Sequence, residues 1–281
     1  MNDPAPASTT FADLGLRDEI VEALSAKGIE SPFPVQALTI PDALAGQDVC
    51  GKAKTGSGKT LAFGLPVLQR MDPAAPNRPT GLVLVPTREL ANQVCDELAP
   101  AAEAVDRIAL AIYGGAPIEK QIDRLDKGVD LVVATPGRMI DLIERKAVSV
   151  ADVQHVVVDE ADRMADMGFL PQVEWILRNV EGDHQTLLFS ATLDGVVNTL
   201  IRRYQHDPVM HEVAGKEVTV EEMTHRFIAV HKMDKPKVAA AIADSVDRTI
   251  MFTRTKVMAD RLAEALAKEG VQAAPIHGDL R

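Results

Sequence analysis

Cysteine, aromatic side chains and positive charge are all scarce in this chain. Two cysteines in 281 residues exclude a disulfide-stapled scaffold. Cys50 and Cys95 each fall in an apolar stretch and read as small core residues, and a reducing, cytoplasmic compartment fits. The seven histidines show neither an H-E-x-x-H pattern nor a Cys/His spacing, so zinc is not expected. No apolar run approaches the roughly eighteen residues of a membrane-spanning helix. Residues 1–10 are rich in Pro, Ala, Ser and Thr, with no basic start and no apolar centre; they read as a disordered leader, not a signal peptide. The single tryptophan, Trp175, stands beside Ile176 and Leu177 and reads as core. Lysine and arginine number 30 against 41 acids, a net charge of −11. On that count alone a nucleic-acid partner is disfavoured, but the local field of a groove decides such binding, not the sum over the surface.

What the chain does have is Ala53-Lys54-Thr55-Gly56-Ser57-Gly58-Lys59-Thr60, between a short apolar strand at 48–51 and a helical run at 61–69. Strand, glycine-bearing loop, Lys-Thr and helix together form a phosphate cradle. Glycines let the loop turn until backbone N–H groups point inward, and the helix start adds unpaired donors and a positive dipole end. Thr55, Gly56, Ser57, Gly58, Lys59 and Thr60 are the candidate nucleotide-binding residues. Lys59 offers a point charge to the β- and γ-phosphates, and the Thr60 hydroxyl a ligand for Mg²⁺. Ala53 stands where the general pattern has its first glycine, so a glycine-rich surface loop remains the bland alternative for this octapeptide.

Around this loop the pattern alternates. Apolar strands are predicted at 81–85, 108–112, 130–134, 154–158 and 186–190. Helices are predicted at 11–27 (with a turn at its start), 35–45, 88–103, 118–127, 138–145 and 169–180. The strands are near-continuous Val/Leu/Ile runs, as parallel strands buried on both faces require. The fold class is therefore α/β, an open parallel sheet with helices on both faces and right-handed crossovers. Ligands on such sheets bind beyond the carboxyl ends of the strands, so the loops there carry the functional reading.

His155-Val156-Val157-Val158-Asp159-Glu160 delivers two acids at a strand end. In that position Asp159 holds Mg²⁺ opposite Thr60, and Glu160 orients or deprotonates an attacking water. Lys59, Asp159 and Glu160 are the catalytic candidates, and Thr60 and Asp159 the metal ligands. Three further loops, at Pro86-Thr87-Arg88, at Gly114-Gly115 and at Thr135-Pro136-Gly137-Arg138, combine arginine or threonine with small residues, which suits a sugar–phosphate backbone. Each alone reads equally well as a capped turn; three on one sheet edge favour nucleic acid. Gln36, in a helix first turn after Pro32 and Pro34, offers an acceptor and two donors to an adenine edge.

The set of motifs resembles the DEAD-box family of ATP-dependent RNA helicases. It is carried by Phe11 and Gln36, by the loop from Ala53 to Thr60, by Pro86 to Ala91, by Gly114-Gly115, by Thr135 to Arg138, by Asp159-Glu160-Ala161-Asp162 and by Ser190-Ala191-Thr192. The resemblance implies a P-loop NTPase of RecA-like fold, with ATP and Mg²⁺ as cofactors and RNA, as a single strand or short duplex, as partner. Gln36 would read adenine and Phe11 would pack on its ring. Asp162, Ser190 and Thr192 would couple the nucleotide to RNA. Pro86, Thr87, Arg88, Gly114, Gly115, Thr135 and Arg138 would grip the RNA backbone. It implies a first domain at 11–213, a linker at 214–222 and, at 223–281, the start of a second RecA-like domain. There strands are expected at 224–230, 249–252 and 271–276, helices at 235–246 and 256–268, and RNA contacts at Thr253 and Arg254. The family's later arginine-rich motif does not follow His277-Gly278-Asp279. The expectation for this chain is therefore nucleotide binding with poor hydrolysis and no unwinding. A P-loop ATPase acting on DNA or protein, or a non-enzymatic RNA-binding scaffold, are the rival readings.

Overall fold

The computed structural model describes residues 9–193, 195–213, 224 and 226–278. Most of the expected leader and all of the expected linker lie outside them. The chain divides into two compact units, Met1–Glu217 and Val218–Arg281, each taken by itself below.

The first unit is built on strands Val49–Lys52 (β1), Gly81–Leu84 (β2), Ala109–Ile112 (β3), Leu131–Ala134 (β4), His155–Asp159 (β5), Gln185–Ser190 (β6) and Val209–Glu212 (β7), in the order β3-β4-β2-β5-β6-β1-β7. Every pairing is parallel. Helices Asp18–Ser25 (α1), Pro34–Leu44 (α2), Lys59–Arg70 (α3) and Arg88–Ala104 (α4) cover one face. Helices Ile118–Leu125 (α5), Pro136–Glu144 (α6), Ala161–Asp166 (α7), Leu170–Asn179 (α8) and Gly195–Tyr204 (α9) cover the other.

Strand side chains alternate between the two layers. Val83, Val133, Val157, Leu187 and Phe189 pack with Ile20, Ile40, Leu65 and Leu98. Leu82, Leu84, Val132, Val156, Val158 and Leu188 pack with Leu125, Met139, Leu142, Ile176 and Leu200. Both faces being dry explains the unbroken apolar runs. Cys50 and Cys95 are free, and burial pushes each thiol up to about 12, as inert core cysteines require.

Three elements differ from the sequence expectation. Residues 11–15 form turns, and α1 starts only at Asp18. A short α7 precedes α8, separated from it by Gly168 at φ +75°. At the sheet edge β7 pairs with β1, and the Lys52–Glu212 ion pair closes at 2.6 Å. Its alternate residues Met210 and Glu212 face solvent, so β7 carries no continuous apolar run.

The second unit contains helices Lys235–Asp244 (α10) and Lys256–Lys268 (α11), the latter capped by Thr255 Oγ1 accepting from Met258 N–H at 3.2 Å. Both helices were expected. The described residues of 224–230, 249–252 and 271–276 carry no strand pairing. Their apolar side chains find no cover: Phe227, Ile250, Phe252 and Ile276 are 83–96% exposed. A strand pattern without a neighbouring strand to bond makes no sheet.

Packing is close where β1 meets β6. A Cβ on Gly51 would lie 2.5 Å from the Phe189 ring, itself fully buried and 5.6 Å from the Phe63 ring. Gly51→Ala is expected to destabilise the first unit by about 1–3 kcal/mol, the usual cost of overpacking. Urea unfolding should show a lower midpoint at an unchanged slope; an unchanged midpoint would mean that the ring moves freely.

Candidate nucleotide site and nucleic-acid edge

Because all seven strands run parallel, their carboxyl ends share one edge, and the register sets which loops meet there. Lys52 pairs with Ser190 and Asp159 with Phe189. The loops after β1, β5 and β6 are thus neighbours on one half of the edge. Leu84 pairs with Ala134, and Ala134 with Ile112, which collects the loops after β2, β4 and β3 on the other half. The halves join where β5 pairs with β2.

In the first half, Lys59 Nζ lies 3.5 Å from Asp159 Oδ1, the two side chains 6% and 4% exposed. Burial pushes the Asp159 carboxyl up to about 6; Lys59 opposes that shift and the Glu160 charge adds to it. The contact lacks hydrogen-bond geometry, so the buried Lys59 ammonium has no hydrogen-bond partner, and neither has buried Ser57 Oγ. Such orphans are uncommon in folded proteins, and two of them lie together at this loop. Gly56 and Gly58 take φ +81° and +86°, and no side chain caps the start of α3. A cradle of open N–H groups with an unpaired cation and hydroxyl fits a polyphosphate. Burial holds the Glu97 carboxyl above its usual range, and the Thr60 side chain opposes that shift. The Thr60 hydroxyl and the Asp159 carboxylate make a donor set suited to Mg²⁺.

Glu160 sits at φ +52°, a left-handed conformation uncommon outside glycine. It is 5% exposed. Its Oε1 accepts from Thr55 Oγ1 at 3.3 Å, its Oε2 from Arg163 Nη1 at 3.0 Å, and its N–H donates to Asp159 Oδ1 at 2.9 Å. Beside it, Asp162 Oδ2 accepts from Thr192 N–H at 3.1 Å, and Asp162 N–H donates to Ser190 Oγ at 3.2 Å. The three residues expected to couple the sites are therefore in contact.

Gln36, 2% exposed, donates to Gly58 O at 2.9 Å and accepts from Phe33 N–H at 2.8 Å. It ties the start of α2 to the phosphate loop and retains one N–H and one lone pair. Phe11, expected to pack on an adenine ring, is 1% exposed within the apolar core. Its ring is buried and leaves no open face for a ligand. The exposed aromatic at this site is Phe33, 55% exposed and set against Gly58.

On the other half, Gly114 and Gly115 are exposed, with Gly115 at φ +86°. Thr135 stands at the N-cap of α6 without making a side-chain cap bond, so its hydroxyl is not spent on the helix. Pro86 leads into Thr87, whose hydroxyl accepts from Leu90 N–H at 3.2 Å and caps α4. Arg88 is exposed and paired with Glu89 at 2.6 Å. Arg138 departs from the expected grip: it is half-buried and donates to Ala116 O and Gln121 Oε1 at 3.0–3.3 Å. Thr253 and Arg254 belong to the second unit; Arg254 is exposed, and Thr253 Oγ1 donates to Thr255 O at 3.2 Å.

Sequence reasoning passed over Phe33, Glu97, Gln121 and Arg163. Two left signals: Arg163 lies three residues after Glu160 on a helix start, and Gln121 stands on the apolar stripe Ile118, Ile122, Leu125. No cluster of three or more metal-ligating side chains occurs among the described residues, and no helix there is long and apolar enough to cross a membrane.

The DEAD/DEAH box helicase model matches residues 33–200. The chain is 41% identical over 273 residues to the DEAD-box ATP-dependent RNA helicase CshA of Bacillus subtilis (strain 168), covering 96% of this chain and 55% of that protein. It is 43% identical over 274 residues to the protein of the same name from Bacillus cereus (strain ATCC 10987 / NRS 248), covering 97% and 52%. The chain spans about half the length of these curated relatives. The crystal structure of a DEAD box protein from the hyperthermophile Methanococcus jannaschii superposes with a TM-score of 0.67 at 32% identity, covering 97% of this chain and 74% of that one.

The buried pair gives a test that needs no ligand. Lys59→Met removes the charge that opposes the rise of the Asp159 carboxyl. Carboxyl NMR titration is expected to find Asp159 near 6 in the parent protein and clearly higher in the variant. The same midpoint in both would mean that the two groups are not coupled.

Proposed function

The chain belongs to the DEAD/DEAH box helicase family, and from that premise we propose that it binds ATP and Mg²⁺ on the loops after β1 and β5, and RNA on the loops after β2, β3 and β4. It would thereby supply the nucleotide-binding part of an ATP-dependent RNA helicase. The observation that carries this reading is the pair of buried, unpartnered groups, Ser57 Oγ and Lys59 Nζ, beneath the loop and 3.5 Å from Asp159 in the case of Lys59.

In this reading Lys59 and the α3 N-terminus hold the β- and γ-phosphates. Thr60 and Asp159 hold the magnesium ion, which when bound neutralises charge on the phosphate oxygens. Glu160 orients a water in line with the γ-phosphorus and takes up its proton as the bond to the leaving oxygen breaks. To do so Glu160 gives up the bond of its Oε1 to Thr55, while Oε2 keeps Arg163. Asp162, Ser190 and Thr192 carry changes at this site toward the RNA edge through their shared hydrogen bonds.

No arginine is free to reach the transferring phosphate among those set at this edge, since Arg163 is paired with Glu160 and Arg88 with Glu89. An arginine finger is worth about 10³–10⁵ in rate in related systems. The chain alone is therefore expected to bind ATP, hydrolyse it slowly and separate no duplex. RNA-stimulated turnover at ordinary helicase rates would refute that expectation.

Adenine would lie by Gln36, with Phe33 offering the aromatic face that Phe11 cannot. Base–aromatic stacking is worth about 1–3 kcal/mol, so Phe33→Leu should weaken a fluorescent ATP analogue at least about fivefold while Phe33→Tyr retains affinity. Titration of the parent chain with that analogue, with and without Mg²⁺ and competing RNA or DNA of one sequence, tests the whole reading. No nucleotide binding would sink it. DNA competing as well as RNA would favour a DNA-directed ATPase, and nucleotide binding without any hydrolysis would favour a scaffold.

A further inference from the structure

Beneath the loops on the second half of the edge lies a largely buried polar knot, away from the phosphate loop. Gln121, on α5 and 7% exposed, donates through Nε2 to Tyr113 O at 3.1 Å. Its Oε1 accepts from Arg138 Nη1 at 3.0 Å. Arg138, at the start of α6, also places both terminal nitrogens on Ala116 O, at 3.2 and 3.3 Å. One amide and one guanidinium thus hold both ends of the turn Tyr113-Gly114-Gly115-Ala116 against the N-terminus of α6. The groups left outermost are the exposed backbone of Gly114, Gly115 and Gly137 and the uncommitted hydroxyl of Thr135.

We infer that Gln121 is a positioning residue for RNA: with Arg138 it locks the Gly114-Gly115 turn to the α6 N-terminus, so that two separate loops present one phosphate-binding surface. This rests on the reading of that edge as the RNA-binding one. Arg138 then acts from beneath as a spacer of loops and contributes no charge of its own to a phosphate. The physical basis is the high cost of the alternative arrangements. A buried amide that loses either partner leaves unpaired polar atoms, which costs about 1–3 kcal/mol. The lock therefore holds one arrangement of a glycine turn that would otherwise sample many. Backbone N–H groups and a hydroxyl recognise the phosphodiester backbone without reading base sequence, so the surface is suited to RNA of any sequence.

The test uses the whole 281-residue chain, a fluorescent single-stranded RNA and a fluorescent adenine nucleotide. Gln121→Met keeps the side-chain length and removes both hydrogen bonds. It is expected to weaken RNA roughly tenfold, the equivalent of one lost buried bond, and to leave nucleotide affinity within twofold. Gln121→Glu keeps the acceptor for Arg138, now charged, and sets an oxygen in place of the donor against Tyr113 O. It should fall between the parent and Gln121→Met, and it keeps the test decisive if the methionine variant does not fold. A contact between Arg138 and a phosphate would show in salt dependence, where each lost contact on a single strand lowers the slope of log affinity against log salt by about 0.7. Arg138→Gln is expected to weaken RNA with that slope unchanged; a slope lower by about 0.7 would overturn the spacer role. RNA affinity unchanged in both Gln121 variants, whatever their melting temperatures, would overturn the inference while leaving the RNA-binding edge in place. Failure of the parent chain to bind RNA would instead remove the reading beneath it.

Discussion

A lysine and an aspartate share a dry pocket at a distance too long for a good hydrogen bond. Burying two opposite charges is expensive, and their mutual attraction repays the cost only with further hydrogen bonds in place. Here those bonds are incomplete on the lysine side. The sheet enforces the arrangement. Parallel pairing of β1 with β6 and β6 with β5 fixes where each strand ends, and the core on both faces holds that register. The cost of the open charge is thus met by apolar packing elsewhere in the unit, and the site stays ready for a polyanion and a divalent cation. The left-handed backbone at Glu160 belongs to the same economy: strain of this kind persists only where surrounding structure over-determines it.

The same register keeps the two proposed ligand sites on one edge without overlap. The nucleotide loops follow β1, β5 and β6, and the other loops follow β2, β3 and β4. The shared boundary is the β5–β2 pair, and the residues at that boundary are charged. Glu160 and Arg163 stand on the β5 side, Arg88 and Glu89 on the β2 side. Arg88 is the main partner that holds the Glu89 carboxyl below the usual range, and Arg163 contributes to the same shift. The hydrogen-bonded trio of Asp162, Ser190 and Thr192 joins the loops after β5 and β6, within the first half of the edge.

Much of this was legible in the sequence, and the reasons are specific. Strands β2, β4, β5 and β6 announced themselves because both faces of their central residues are buried, so those positions are apolar, and the edge strand β3 because its four residues are all apolar. The acid pair after β5 and the glycines before Lys59 could be read because phosphate chemistry admits few alternatives at those spacings. The edge strand β7 escaped because half of it faces water, and a half-wet strand of four residues has too short an alternation to detect. In the second unit the apolar alternation was present, but pairing is a property of two strands, and one segment cannot reveal whether its neighbour is there. Phe11 was misplaced for a related reason: an aromatic that belongs to a nucleotide-associated motif looks the same in sequence whether it touches the ligand or supports the elements that do. Its near-complete burial decides for support.

The net charge of −11 looked like an objection to nucleic acid, and the structure changes its meaning. The arginines on the edge are already matched: Arg88 with Glu89, Arg163 with Glu160, Arg138 with Gln121 and Ala116 and, more distantly at 3.9 Å, with Asp141. An edge with its cations so engaged exerts little long-range pull on a polyanion, and unspecific adhesion through counterion release is correspondingly weak. What it presents instead are oriented N–H groups and a hydroxyl, which act only at contact. Binding on these terms depends on the loops being correctly set beforehand, since short-range donors gain nothing from a strand they do not meet. An acidic chain can thus take a sugar–phosphate backbone on one edge while the rest of its surface repels it.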